Sequence, residues 1–441
     1  TSPSRNGAVV WSTYPYGAEL YSNNSTWLGL SYVEGKAQGI QIGYFNWNDV
    51  IPMIHNSKLT NILSIVNEPG PYSWVDTPFF DIQNNVITHV NSGHFGTSTR
   101  NENMCLITAV GGVSGTYSTI KDNVLNDCLV GTYVKRAGYY YRYTTSQWGA
   151  DGAVIENNTF NDVGQLGVWF ALNSYADDVT VKGNTFAGST TPEYGVYVQD
   201  RRTTGLVVTE NTFSSPQQPI YLRGAVDYEV TDNVIYGDGD SAHAGIYTLS
   251  GNGLIDGNTL VDADGGILVD GIRFGYTVNV TNNDISQSTG RTAPAAVGIW
   301  AEDCGSSIIN TGGNTISVME NGIVTEGCDL VDTDSTITAV GGSGGQLWTV
   351  GVNAQSFAPQ SISISTGDTI RWRANEYWTN ATGYGEPHDV VSNDSLFSSG
   401  VMNLGSTHTY TFLNAGTYTY HCSLHPALNM WGTVTVTNAS A

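Results

Sequence analysis

Near the C-terminal end, a short segment carries three side chains that bind soft metal ions. Cys422, His425 and Met430 follow one another in a C-x2-H-x4-M spacing, and His388 lies 34 residues before the cysteine. One thiolate, two imidazoles and a weakly bound thioether are the donor set of a type 1 (blue) copper site. The sequence therefore predicts one copper ion held by His388, Cys422, His425 and Met430, with one-electron transfer as its chemistry.

Short strands must position these ligands. Between residues 346 and 441, polar and apolar residues alternate over stretches such as 361–364 (SISI), 369–372 (TIRW) and 417–420 (TYTY), and turns such as 366–368 (TGD) separate them. A period of two with regular turn signals is typical of a β-sandwich. We expect residues 346–441 to form a small Greek-key sandwich that carries the metal site.

Several motifs of this segment resemble those of cupredoxins of the plastocyanin, halocyanin and pseudoazurin type. They are residues 357–359 (FAP), 367–372 (GDTIRW), 415–420 (AGTYTY) and 430–434 (MWGTV), in the family's order. The resemblance implies a cupredoxin fold, a type 1 copper and a redox partner protein.

Two residues depart from the plastocyanin pattern. Asp389 replaces the usual Asn after the first His ligand, and we expect it to change the hydrogen bonds between the ligand loops. His421 replaces an aromatic residue before the Cys. A His-Cys pair also resembles copper nitrite reductases, but the position that would supply a further ligand there is Asn393. His408 and His243 have no supporting spacing, so we favour a hydrogen-bonded or exposed His421 over a second copper.

A different pattern occupies residues 81–340, where an Asn-x-apolar motif recurs every 22 to 38 residues. Its asparagines are Asn85, Asn123, Asn158, Asn184, Asn211, Asn233, Asn258, Asn283 and Asn314. Between them lies a Gly-apolar-x-apolar segment, as in residues 167–170 (GVWF) and 298–301 (GIWA). This repeat predicts a right-handed parallel β-helix with Asn in left-handed bends; a sandwich or propeller is the alternative.

Four cysteines support coils of this length. Cys105 and Cys128 are 23 residues apart, and Cys304 and Cys328 are 24 apart, which is about one coil each. Coils stack about 4.8 Å apart, within the reach of a disulfide. We expect two disulfides, with four buried thiols as the alternative, and an oxidising compartment. Cys422 is then left for the metal.

The ends of the repeat differ in composition. We expect residues 1–80 to form an N-terminal β cap with the first coils, and residues 341–345 (GGSGG) to form a flexible linker to the sandwich. The whole chain of 441 residues is therefore predicted to be all-β, a β-helix followed by a cupredoxin sandwich.

Charge and hydropathy narrow the classes of function. The net charge is −23, of which residues 346–441, with two Arg and five acids, contribute −3 and the rest −20. Such acidity disfavours nucleic-acid binding. No apolar run reaches the roughly 18 to 20 residues of a membrane span. The chain begins at Thr1, which leaves open a removed export signal or a segment of a longer protein. Because two disulfides are expected and N-x-S/T acceptors recur, we expect an extracellular, periplasmic or cell-surface protein, and a glycoprotein.

The solenoid itself offers weaker chemical signals. Its repeat resembles pectate lyases and NosD-like exported proteins, a likeness that concerns the fold and implies function only weakly. No spacing selects a catalytic base, although Arg201 and Arg202 form a basic pair. Residues 237–240 (GDGD) and 262–265 (DADG) resemble incomplete calcium loops. Residues 139–143 (YYYRY) with Trp148 could stack on sugars or partner proteins.

Three functions remain open from the sequence. The first is an exported blue copper protein that transfers single electrons, with the β-helix as scaffold or docking module, and we expect an electron carrier rather than an enzyme. The second is a polysaccharide-binding or polysaccharide-cleaving β-helix with an auxiliary copper domain. The third is a structural surface-layer or filament subunit.

Overall fold

The computed structural model describes residues 20–23, 26–28, 40–42, 52–56, 58–60, 65–67, 81–88, 104–110, 119–128, 130–136, 152–170, 177–189, 193–199, 203–214, 216–237, 243–263, 265–271, 276–287, 297–304, 307–318, 321–326, 329–333, 335–339, 347–375, 378–379 and 385–438. All structural findings concern these ranges. The chain forms two compact units, residues 1–229 and 230–441, which we treat separately.

In the first unit, each coil contributes one strand to each of three parallel sheets, which we call A, B and C. Sheet A contains Leu20–Asn23, Pro52–His55, Asp81–Gln83, Thr119–Lys121, Val154–Glu156, Thr180–Lys182 and Val207–Thr209; sheet B contains Thr26–Leu28, Lys58–Thr60, Val86–Thr88, Val124–Asn126, Thr159–Asn161, Thr185–Ala187 and Thr212–Phe213; sheet C contains Ile40–Ile42, Ile65–Asn67, Met104–Val110, Val130–Arg136, Leu166–Phe170, Tyr194–Val198 and Gln218–Arg223. The predicted parallel β-helix is confirmed.

The second unit continues the same plan and then changes it. Within this unit, the coils also form three parallel sheets, for which we keep the same letters: Gly253–Asp256, Thr277–Thr281, Ile308–Gly312 and Asp329–Thr333 in sheet A; Val234–Tyr236, Thr259–Val261, Asp284–Ser286, Thr315–Val318 and Thr336–Ala339 in sheet B; and Ile246–Leu249, Ile267–Asp270, Val297–Glu302 and Asn321–Glu326 in sheet C. Strand Tyr228–Thr231 contains the sequence limit between the units. In most three-residue strands of sheets A and B whose burial is known, the middle side chain is buried and its neighbours are partly exposed, so the apolar core lies inside the coils.

The repeated asparagines form buried ladders. In the second unit, the side-chain amide of Asn258 donates to Oδ1 of Asn283 at 2.9 Å and to the Val230 carbonyl at 2.8 Å. Asn283 repeats these bonds to Asn314 at 3.0 Å and to the Ile255 carbonyl at 3.0 Å. Each amide therefore satisfies backbone groups that the turn between sheets A and B would otherwise leave unpaired.

The predicted conformation of these asparagines is wrong, although their position is right. The left-handed residue is the one before each motif Asn: for example Asp122 has φ of 56°, Glu210 has 56° and Gly257 has 66°. The ladder geometry explains the difference, because the motif Asn must turn its amide inward, while the less buried residue before it makes the bend.

A stack of phenylalanine rings explains the glycine of the second motif. In sheet B of the first unit, the rings of Phe160, Phe186 and Phe213 lie 4.6 Å apart and nearly parallel. A Cβ atom on Gly167 would come within 2.4 Å of the Phe186 ring and 2.5 Å of the Gly195 carbonyl oxygen. Glycine is therefore required where sheet C passes close over the stack.

Residues beyond 346 form a β-sandwich of mixed sheets, in which Leu347–Val352 pairs in parallel with Thr369–Ala374, and Thr369–Ala374 pairs antiparallel with Thr407–Thr411. We call it the copper module, after the ligand set predicted for it. Its strands are Leu347–Val352, Phe357–Ala358, Ser361–Ser365, Thr369–Ala374, Trp378–Thr379, Gly385–Glu386, Val391–Ser392, Thr407–Thr411, Gly416–His421 and Trp431–Thr437, with one 3-10 turn at Pro426–Leu428. Trp348, Trp372, Phe357, Phe412 and Tyr420 are fully buried in its core.

The last coil and the copper module share a sheet. Strand Thr336–Ala339 pairs in parallel with Ser361–Ser365, which pairs in turn with Trp431–Thr437. Beside this junction, the buried carboxylate of Asp332 accepts hydrogen bonds from Thr311 Oγ1 at 2.6 Å and from the Gln360 backbone N–H at 2.9 Å. The predicted linker 341–345 lies outside the described residues, and the domain limits remain predictions.

Candidate metal centre

Three of the predicted ligands, Cys422, His425 and Met430, lie in the loop that follows strand Gly416–His421. Cys422 comes directly after this strand, and its backbone N–H donates to the Met430 carbonyl at 3.1 Å, which closes the loop. Inside it, Pro426 opens the 3-10 turn and Asn429 ends it with a left-handed φ of 51°. A Pro with fixed φ and an Asn that tolerates positive φ suit these two places.

A second loop brings in His388. It forms an antiparallel bridge with Met402, whose N–H donates to the His388 carbonyl at 2.7 Å. The next residue but one, Val390, has its carbonyl paired with the Ser399 N–H at 3.0 Å. These backbone bonds hold the segment that carries His388, whose side chain is fully buried.

These two loops bring three of the four predicted ligands together. The Cys422 Sγ atom lies 3.7 Å from Nδ1 of His388 and 3.6 Å from Nδ1 of His425. The three donor atoms are within 4.8 Å of one another, and all three residues are buried. Met430 is buried too, and its thioether as the fourth, axial ligand remains a prediction.

The arrangement fits a bound metal ion. An ion bonded to sulfur at about 2.3 Å and to nitrogen at about 2.0 Å, with an angle of about 110°, separates those two atoms by about 3.5 Å, within about 0.2 Å of the values found. Both sulfur-to-nitrogen distances agree with that value. In the described part of the chain, this is the one group of three or more His, Cys, Asp or Glu residues placed to hold a metal.

Burial also sets the protonation of the cluster. The pKa of His388 is lowered from 6.5 to about 4, mainly by burial and to a smaller extent by the neighbouring His425. Burial raises the pKa of the Cys422 thiol. His388 is therefore neutral and ready to donate a lone pair at neutral pH, while a cation is needed to hold Cys422 as a thiolate.

Comparison with known families agrees with both parts of this structure. Residues 32–264 match the family described as periplasmic copper-binding protein (NosD), and residues 194–355 match the right-handed beta helix region. Residues 346–437 match the copper-binding proteins of the plastocyanin/azurin family. The NosD match covers more than half of the chain. The chain belongs to the NosD family, with a plastocyanin-family module at its C-terminal end.

Individual relatives cover this module. The plastocyanin of Scenedesmus fuscus is 32% identical over 91 residues, which is 18% of this chain and 85% of the plastocyanin. That of Solanum crispum is 32% identical over 94 residues, or 18% of this chain and 87% of the relative. Among solved structures, a purple cupredoxin from Nitrosopumilus maritimus is 26% identical, covering 20% of this chain and 98% of its own, with a TM-score of 0.17.

Asp389 ties the two ligand loops of the plastocyanin-like module together. Its Oδ1 accepts the Ser423 backbone N–H at 2.6 Å, and its Oδ2 accepts the Ser423 hydroxyl. Ser423 follows Cys422 directly and Asp389 follows His388 directly. The carboxylate therefore links the residue after His388 to the residue after Cys422 by two hydrogen bonds. Plastocyanins usually have the neutral side chain of Asn at this position, so the negative charge is a difference from them.

The His421 side chain is paired with Asn393 and not with the metal-binding cluster. Its Nδ1 lies 2.6 Å from Oδ1 of Asn393, whose amide in turn donates to Thr419 Oγ1 at 2.7 Å. His408 stacks on Trp372 with ring centroids 5.8 Å apart, and His243 is an exposed residue of the solenoid. The hydrogen-bonded alternative predicted for His421 agrees with this geometry.

Sequence reasoning missed one residue of the site. This residue is Glu386, whose Oε2 atom lies 3.2 Å from Nε2 of His425. Nε2 is on the side of the ring opposite the cysteine. The only signal for it was its place two residues before His388, which puts both side chains on one side of an extended segment.

The remaining sequence candidates have less structural support. Cys128 and Cys304 are buried and disulfide-bonded, but the side chains of Cys105 and Cys328 lie outside the described set, so the pairing stays a prediction. Arg201, Arg202, residues 139–143 and Trp148 also lie outside it, as do residues 238–240 of the first calcium-like loop and Asp264 of the second. Calcium, sugar binding and glycosylation thus gain no support.

Within the described residues, no helix has the length and apolar character needed to cross a bilayer.

Proposed function

We propose that this protein is an exported one-electron carrier with a single type 1 copper ion. His388, Cys422 and His425 are its strong ligands, Met430 is its axial ligand, and the acidic β-helix is its scaffold or docking module. The observation that carries the proposal is the buried triangle of one sulfur and two Nδ1 atoms at 3.6 and 3.7 Å. The NosD and plastocyanin/azurin families, which the two parts match, are both copper-binding families.

When bound, copper supplies the chemistry by changing between Cu(I) and Cu(II). The chain's own residues keep the site in one shape during that change. His388 and Cys422 are fixed by backbone hydrogen bonds, the Asp389 carboxylate holds Ser423 beside the cysteine, and burial excludes water. A site that does not rearrange has a low reorganisation energy, which favours fast electron transfer with a redox partner protein. We place this activity in the periplasm or outside the cell.

Visible absorption of the copper-loaded full chain tests the proposal. We expect an intense thiolate-to-Cu(II) band, bleached by one electron, and one copper per chain by elemental analysis. Cys422→Ser should abolish the band, whereas His421→Gln, a change at the neighbouring residue, should keep both the band and the stoichiometry. No band in the wild type would overturn the type 1 assignment, and two coppers per chain, reduced to one by His421→Gln, would support the second-copper alternative.

The polysaccharide and surface-layer hypotheses remain predictions from the sequence. No contact among the described residues favours either of them over electron transfer. Screening acidic glycans for binding and for unsaturated products, with and without calcium, would test the first. Light scattering over a range of protein concentrations would test the second.

A further inference from the structure

We propose that Glu386 is a positioning residue for His425: its carboxylate fixes the ring with Nδ1 toward the metal and lowers the reduction potential of the site. The inference rests on the proposed function, because it concerns the copper ion held there. It assigns a role in the redox site to a residue outside the predicted ligand set.

The backbone delivers Glu386 to this place. Strand Gly385–Glu386 pairs with Trp378–Thr379 in an antiparallel hairpin, with Glu386 opposite Trp378. Pro387 then leads to His388, and residues two apart in an extended chain project to the same side. The side chain that reaches His425 therefore starts beside the other histidine ligand, on a segment whose conformation is fixed.

The contact orients His425. Nδ1 of this ring faces Cys422 Sγ at 3.6 Å, and Nε2 faces Glu386 Oε2 at 3.2 Å. A carboxylate only accepts, so Nε2 must carry the hydrogen and Nδ1 must keep the lone pair. Metal-binding histidines commonly need such a partner on the second nitrogen to fix tautomer and orientation.

Burial makes the contact electrostatically effective. The His425 side chain is 6% exposed, whereas that of Glu386 is 43% exposed. The outer nitrogen of the ring therefore meets a carboxylate rather than bulk water, while the carboxylate remains partly hydrated. A hydrogen bond to an anion makes imidazole a stronger donor, and a negative charge near the ion stabilises Cu(II) more than Cu(I). Both effects lower the reduction potential.

Three variants of the copper-loaded full chain separate charge from hydrogen bonding. Glu386→Gln keeps an acceptor oxygen and removes the charge, and Glu386→Ala removes both. The matched control is Asp394→Asn, which removes one charge from an exposed carboxylate that accepts from Ser392 Oγ at 2.6 Å and leaves an acceptor oxygen in place. All measurements are made at one pH and one ionic strength.

The first readout is the reduction potential with the separate Cu(II) and Cu(I) affinities. Loss of such a partner commonly weakens metal binding about 10- to 100-fold. We expect Glu386→Gln to weaken Cu(II) about tenfold more than Cu(I), a rise of about 59 mV for one electron. Asp394→Asn should change the ratio less than threefold. Equal shifts in the two variants would overturn the proposal, since they would show a general effect of charge.

The second readout is the Nε2-bound proton of His425 in the diamagnetic Cu(I) protein, followed by NMR. We expect slow exchange with water in the wild type and at least tenfold faster exchange in Glu386→Ala. Unchanged exchange would show that Glu386 does not hold the ring. A wild type without the thiolate band defeats the proposed function itself, whereas a blue wild type with an unresponsive Glu386→Gln variant defeats only this inference.

Discussion

The coils and the copper module solve the problem of a stable all-β core in opposite ways. In the coils, each buried Asn and each inward apolar residue has an equivalent one coil away, as with Asn258, Asn283 and Asn314. In the module, His388, Cys422 and His425 form the one such cluster among the described residues, and the contact between Asp389 and Ser423 joins their two loops. Repetition provides stability in the coils, and single contacts provide chemistry in the module.

This difference predicts how substitutions should behave. A solenoid is stabilised by the sum of its nearest-neighbour contacts, so a change in one coil should cost stability and leave the metal site unaffected. A change near the ligands should alter the spectrum or the potential at a smaller cost in stability. Four predictions test this contrast.

The largest effect should come from the stacked rings of the first unit. Phe186→Ala removes the middle ring, which lies 4.6 Å from both neighbours, and should lower the free energy of unfolding of the coils by about 4 kcal/mol. Urea unfolding followed by circular dichroism measures this. Val86→Ala, on the exposed side of the same sheet, should cost less than about 0.5 kcal/mol. A weakened copper band in Phe186→Ala would contradict the separation of roles.

Removing one member of the asparagine ladder should cost somewhat less. Asn258→Ala leaves the Val230 carbonyl and the Asn233 backbone N–H without their buried partner, so we expect a loss of about 3 kcal/mol. Amide hydrogen exchange should show the loosening in the adjacent coils. Asn279→Ala, on the outer face, should cost about 1 kcal/mol or less. Equal costs for the two would show that the buried ladder has no special role.

In the copper module, the contact between Asp389 and Ser423, which clamps the two ligand loops together, should affect both the stability of the fold and the visible spectrum of the copper-loaded protein. Asp389→Ala removes the two bonds to Ser423 and should cost about 2 kcal/mol, with a broader copper band and faster copper loss. Asp389→Asn keeps an acceptor oxygen and should retain the narrow band at a different potential. If Asp389→Ala destabilises the protein with no change in the band, the clamp serves only the fold.

The last effect, which vanishes at neutral pH, is the pH dependence of the copper-free protein. The pKa of His388 is about 4 in the folded chain and 6.5 when unperturbed, so the unfolded state binds more protons between these values. Stability from the neutral His388 is complete above pH 6.5 and decreases as the pH falls toward 4. Thermal unfolding between pH 7 and 4 should therefore show a steeper decline for the wild type than for His388→Gln. Parallel curves would mean that other groups control the decline.

The repeat made the solenoid predictable, because each coil repeats the same signal. The Asn-x-apolar motif located the turns correctly and still misassigned the bend, since the left-handed residue is the one before the Asn. A pattern of residue types records which position is constrained. It does not record whether the constraint is a backbone angle or a buried amide, and in these coils the amide ladder decides.

The metal site was predictable only as far as its ligands are close in sequence. Spacing predicted the Cys422 loop, and the chemistry of the donor set required a second His, which His388 supplies. Glu386 was missed because its contact with His425 spans 39 residues and depends on a hairpin that brings two loops together. The pairing of strand Thr336–Ala339 with Ser361–Ser365 was missed for a similar reason, since a strand's sequence does not name its partner.

That shared sheet has a consequence for assembly. The parallel strands of the last coils would otherwise end on an open edge, which is a template for adding strands of another chain. The copper module covers this edge, turns the sheet antiparallel and ends it on the two-residue strand Val391–Ser392. The last strand of this sheet thus belongs to the same segment that carries His388. Damage severe enough to unfold the copper module would expose this edge of the solenoid, so loss of copper binding and self-association should occur together.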